Sequence, residues 1–187
     1  VEDLQRIEGT DLHATTKVKI NWGHWSMAEV MTFDLETTGL NPFASDARIL
    51  CAAVSSKKDQ AAVVSPEDLA LAITQHVNLE KPLTLIGHNL KFDLMWLTLH
   101  SGLPKGLLYC LRNMPNLTLV DTAMLSQWLS EETPHGLKYL AARYTDYGPY
   151  DSAITPTLLR GRSIDLPLEQ LQTYCAHDAA ATFVLYH

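Results

Sequence analysis

The chain has 187 residues, 47% of them hydrophobic, and a formal net charge of -7, which makes one domain with a sizeable core and argues against a disordered chain. No run approaches the ~20 apolar residues that a bilayer requires, and the basic region, apolar core and cleavage site of a secretory signal are missing, so the expectation is an unsecreted protein with no membrane segment. The acidity argues against a basic phosphate-binding surface, unless several of the acids form a site for divalent cations that would cancel their charge.

Residues 1–29 are the least informative stretch and stay unassigned. Lys17-Val18-Lys19-Ile20 alternates like an exposed edge strand, and Trp22 and Trp25 flank Gly23 and His24 in a loop. Closing over the sheet is the better reading of these two tryptophans than stacking on bases. Val30-Met31-Thr32-Phe33 then runs as a strand into Asp34-Leu35-Glu36-Thr37-Thr38-Gly39. Strand alternation puts Asp34 and Glu36 on one side while Phe33 and Leu35 enter the core. Two carboxylates on one small patch repel each other, and a divalent cation is the simplest relief. Oxygen ligands suit Mg²⁺ or Mn²⁺ better than zinc.

Gly39 and Asn41-Pro42 mark a loop. Ile49 to Val54 and Ala61 to Val64 are two apolar runs that predict a hairpin beside the first strand. Ser65 caps a predicted helix with Pro66 at its first position and a buried face of Leu69, Ala70, Ala72, Ile73 and Val77, stopped by Lys81-Pro82. Leu83 to Gly87 reads as a short buried strand that feeds a helix from Leu90, with Asn89 as its cap. Asp93 lies in the first turn of that helix, four residues after Asn89 and on the same face. Helix N-termini favour anions, which suits a site beside a nucleic-acid backbone.

Leu117 to Asp121 predicts a further strand running directly into a helix. Asp121 is open as a ligand or as a helix cap, and its place just ahead of the helix favours the cap. Helical periodicity returns from Gly136 to Tyr144, while Thr155 to Asp165 is too polar and irregular to place. A last helix begins at Leu166-Pro167-Leu168-Glu169 and carries Tyr174 and Asp178 one turn apart on one face, where a tyrosine hydroxyl can orient water beside an acid. His177, a quarter turn away, has a minor claim to a role. Cys51, Cys110 and Cys175 are scattered without CxxC pairing and read as buried small hydrophobes in a reducing compartment. Alternating strands and helices predict a layered α/β domain. A helix without a stop signal at His187 and the absence of an initiator methionine predict a piece of a longer chain.

The blocks Phe33-Asp34-Leu35-Glu36-Thr37-Thr38-Gly39, Gly87-His88-Asn89-Leu90-Lys91-Phe92-Asp93 and Tyr174-Cys175-Ala176-His177-Asp178 resemble, in order, the three motifs of the DEDD exonuclease superfamily in its tyrosine branch. The histidine branch carries a histidine five residues before the last aspartate, where this chain has Thr173. In particular, residues 30–187 resemble the 3′-5′ proofreading exonuclease domain of family A DNA polymerases. Val120-Asp121-Thr122 and His135-Gly136-Leu137-Lys138-Tyr139-Leu140-Ala141 add to the likeness, and His88 departs mildly, standing where some relatives have glutamine.

This resemblance implies a ribonuclease H-like fold, a mixed five-stranded sheet flanked by helices. It implies two divalent cations, Mg²⁺ or Mn²⁺, the first held by Asp34, Glu36 and Asp178 and the second by Asp34 and Asp93. Tyr174 would help position the attacking water, and Thr37, Leu40, Asn89 and Phe92 would contact or frame the terminal nucleotide. The implied substrate is a single-stranded DNA 3′ end, shortened by release of nucleoside 5′-monophosphates. The implied partner is a polymerase domain in the same parent chain, and the location is cytoplasmic or wherever that polymerase acts. The same chemistry on RNA, as in ribonuclease D-like and Werner-type exonucleases, stays open, as does a non-catalytic single-strand-binding module.

Overall fold

The computed structural model describes residues 29–78, 82–103, 107, 111–113, 115–148 and 165–187. The readings made above for the N-terminal strand, Trp22, Trp25, Cys110 and Thr155 to Ile164 therefore lie outside the described residues. The elements are β1 (Val30–Thr37), β2 (Ile49–Lys57), β3 (Gln60–Val64), α1 (Pro66–Asn78), β4 (Leu83–Gly87), α2 (Leu90–His100), β5 (Leu117–Asp121), α3 (Thr122–Leu129), α4 (Leu137–Tyr144) and α5 (Leu168–Tyr186).

The strands form one five-stranded sheet in the order β3-β2-β1-β4-β5. The β1–β2 and β2–β3 pairs are antiparallel, as a chain that turns back through short connections must be. β1–β4 and β4–β5 are parallel, and helices α1 and α2 lie between the strands concerned. The mixed five-stranded sheet expected from the sequence is thus the one observed.

Alternation along β1 assigns its two faces. Met31, Phe33 and Leu35 join Ala52, Val54, Leu69, Ile73, Leu85, Trp96 and Leu97 in the larger core, with α1 and α2 on that side. Cys51 and Ala53 pack on the opposite face against Leu171, Cys175, Ala176 and Ala179 of α5. Small residues on α5 let the helix lie close to the sheet. Ser65 caps α1 as expected, its hydroxyl accepting from Asp68 N–H at 3.0 Å. Gly87 ends β4 where a Cβ would stand 2.9 Å from Leu90 Cδ1 and 3.2 Å from Leu90 Cα, so the tight exit from strand to helix favours glycine.

The bond that seats α5 is buried and polar. Thr32 Oγ1 donates to the Ala179 carbonyl at 2.8 Å, with the Ser55 carbonyl a second acceptor at 3.2 Å. It fastens the helix carrying Asp178 to the strand carrying Asp34. Thr32→Val keeps the shape and removes this bond, and we expect it to cost about 1–3 kcal/mol and to lower kcat through misplacement of α5. Thermal melting and steady-state kinetics check it; an unchanged kcat at lowered stability would confine Thr32 to the core.

Candidate active site

β1 delivers the first two acids to the end of the sheet. Its register against β2 shifts between Glu36 and Thr37, where Glu36 faces Cys51 and Thr37 faces Ile49. Irregularities of this kind bend a strand and re-aim its side chains. α5 supplies Asp178, which is buried beside them. One oxygen from each of Asp34, Glu36 and Asp178 lies within 4.8 Å of the other two.

The electrostatics follow from that crowding. Burial, then Asp178 and Glu36, push the Asp34 carboxyl well above the usual range. Burial, then Asp178, push Glu36 up to about 9. Asp34 Oδ2 is buried with no hydrogen-bond partner among the described residues. A buried carboxylate oxygen lacking a donor is costly, and a hard cation satisfies it along with its neighbours. The donor set, all oxygen and all acidic, therefore fits a divalent ion of the Mg²⁺ or Mn²⁺ kind.

Asp93 arrives from α2. It is buried, and its pKa is raised by burial first, then by Asp34, Asp121 and Asp178. It senses the cluster, although the set of oxygens within 4.8 Å comprises only the other three acids.

Asn89 occupies the predicted cap position of α2 but does not cap it with its side chain. Its backbone is left-handed, φ 64° and ψ 44°, and no side-chain cap bond forms. Side-chain capping needs an extended backbone at that residue. Asp121 holds the turn instead. Its Oδ1 accepts from Asn89 N–H at 2.9 Å and from Ala123 N–H at 3.0 Å, so it caps α3, as expected, and also braces α2. The Asn89 side chain is thereby released from capping. A non-glycine residue in this conformation is uncommon and often marks a functional turn.

The other residues expected to frame a terminal nucleotide differ in setting. Thr37 is buried and its Oγ1 donates to the Gly39 carbonyl at 2.8 Å, which tightens the turn below Leu40. Leu40 is 86% exposed, an apolar side chain left free for contact. Phe92 is half-buried, its ring 6.0 Å from that of Trp96. His88 Nδ1 lies 2.9 Å from Thr122 Oγ1, and burial lowers its pKa against the opposing pull of Asp121 and Asp178. His177 is likewise lowered, by burial and then by Lys138. Cys51 and Cys175 are free and buried, as expected.

Sequence reasoning missed Lys138. Its Nζ is paired with Asp178 Oδ1 and stands 4.1 Å from the centre of the Tyr174 ring. Lys138 belongs to a block already matched to the family, but no spacing connects α4 to α5, so the pairing was invisible. An apolar groove with a volume of about 460 Å³ is lined by Leu90, Leu94, Leu119, Met124, Leu125 and Trp128 among others. None of the four acids lines it.

A model of the 3′-5′ exonuclease family matches residues 22–187. The chain belongs to this family. The exonuclease is 32% identical, over a 173-residue alignment, to a DNA polymerase of Escherichia phage T5. That alignment covers 84% of the exonuclease and 19% of the polymerase, so the chain spans about a fifth of the relative's length. Among solved structures, Brucella melitensis NrnC aligns at a TM-score of 0.58 and 22% identity, covering 86% of the exonuclease and 71% of NrnC. One NrnC structure contains bound Mg²⁺, at a TM-score of 0.55. Trypanosoma brucei RNase D aligns at 0.59 and 14% identity, covering 88% of the exonuclease and 58% of that chain. These likenesses establish the ribonuclease H-like fold, and the family resemblance read from the acidic blocks holds. The exonuclease is a nuclease and a hydrolase. No helix of its described residues is long and apolar enough to cross a membrane.

Proposed function

We propose that this chain is the proofreading exonuclease domain of a DNA polymerase, residues 30–187, releasing nucleoside 5′-monophosphates from single-stranded DNA 3′ ends with two divalent cations. The observation that carries the catalytic reading is the convergence of Asp34, Glu36 and Asp178 within 4.8 Å. The likeness to the T5 polymerase supports DNA as substrate and a polymerase as the parent chain, and the magnesium in one NrnC structure supports the metal. Asp34, Glu36 and Asp178 would hold the first ion, Asp34 and Asp93 the second. Such ions supply neutralisation of phosphate charge and acidification of water.

The chain's own residues do the rest by position. Tyr174, one turn before Asp178 on α5, directs its hydroxyl at the attacking water, as in the tyrosine branch. Leu40, exposed at the end of the β1 turn, packs against the terminal base. The Asn89 side chain, not used for capping, frames the last nucleotide with Thr37 and Phe92. Phosphoryl transfer of this type needs positioning and charge neutralisation, and no covalent nucleophile.

The test is stepwise shortening of 5′-labelled single-stranded DNA and of RNA of identical sequence, in Mg²⁺ or Mn²⁺, with a chelator control. DNA shortened from its 3′ end and protected by chelator is the expected result. Preference for RNA would move the substrate to the ribonuclease D type. Binding without cleavage of either would leave a single-strand-binding module. Tyr174→Phe should lower kcat about 10- to 100-fold, the usual size for a group that orients a metal's ligands, with metal affinity unchanged; a collapse of metal affinity would overturn the role given to the hydroxyl.

A further inference from the structure

Lys138 is placed where a metal site has no ordinary use for it. It projects from α4, half-buried, and its Nζ meets Oδ1 of Asp178, the third acid of the cluster. The same ammonium lies 4.1 Å from the centre of the Tyr174 ring, so one charge touches both the last acid and the residue one turn before it. Its field also opposes the upward pressure on Asp34 and Glu36. A lysine is a compact charge on a flexible stem with three donors, so it can leave a carboxylate oxygen and keep its attraction to an aromatic face. An arginine fork would lose more by the same move.

Resting on the metal-dependent reading above, we propose that Lys138 is the built-in counter-ion of this site, occupying Asp178 Oδ1 until a divalent cation binds and then withdrawing along the Tyr174 ring. Lys138 is a positioning residue, acting through Asp178 and Tyr174. It keeps the acids together in the metal-free protein, and it sets metal affinity by competing for an oxygen. Two cations that exclude each other from one carboxylate are coupled, and removing one strengthens the binding of the other.

The test measures Mn²⁺ binding by calorimetry, without substrate, together with thermal melting in chelator, for the wild type, Lys138→Met and Lys138→Arg. Lys138→Gln is a second uncharged variant in case the first does not fold. We expect Lys138→Met to bind Mn²⁺ about tenfold more tightly, a typical size for coupling between sites, while melting at a lower temperature in chelator. Lys138→Arg, whose fork holds the carboxylate harder, should restore the melting temperature in chelator and bind Mn²⁺ no more tightly than the wild type. Binding by the wild type with equal or weaker affinity in the uncharged variants overturns this proposal alone. No Mn²⁺ binding by the wild type at millimolar concentration overturns the metal reading and this proposal with it. A merely structural lysine would lower the melting temperature without tightening the metal.

Discussion

Asp34→Ala should abolish cleavage, by at least about 10³-fold, without destabilising the metal-free protein. Asp34 belongs to the three-acid cluster and would serve both ions, so its loss removes the ligand they share. The same carboxyl is expensive in the metal-free fold. It is held well above its usual pKa by burial and by Asp178 and Glu36, and its Oδ2 has no hydrogen-bond partner among the described residues. A buried group in that state costs stability, whereas the methyl of alanine does not. The melting temperature in chelator is therefore expected to stay level or rise. A fall of more than ~5 °C, which exceeds 1 kcal/mol for a domain of this size, would make Asp34 a structural residue instead.

Stability of the metal-free protein should fall as pH rises between about 4.5 and about 9, the unfolded and folded values for Glu36. The sign comes from the direction of the shift. A carboxyl whose pKa is raised by folding binds its proton more tightly in the native state, so its contribution is complete below the unfolded value and is lost as pH climbs through the folded one. Asp34 and Asp93 are raised as well, each chiefly by burial, and they add to the same slope. A divalent cation takes the place of those protons, so Mg²⁺ or Mn²⁺ should raise the melting temperature most at the alkaline end. Melting curves across that window, with chelator and with metal, measure both slopes. A flat metal-free profile would show that the acids are solvated and far apart.

The acidic site was legible because its pieces are local. Strand alternation puts Asp34 and Glu36 on one side, and helical spacing puts Tyr174 and Asp178 on one face. Ser65 and Asp121 were legible as caps for the same reason, since a cap bonds within two or three residues. Asn89 was placed correctly as the residue before α2, yet its left-handed backbone escaped notice. That conformation is tied to Asp121, whose carboxylate reaches Asn89 N–H from 32 residues away.

By itself the sequence determined the alternation of strands and helices, the two faces of β1, the three acidic blocks and the family they belong to. Each depends on side-chain direction within an element, which backbone periodicity sets. Tertiary structure alone decided how the blocks meet. Thr32 seats α5 through a bond spanning 147 residues, and Lys138 reaches Asp178 across 40. Those partners are chosen by packing of one element on another, and no spacing along the chain encodes a contact that only burial brings together.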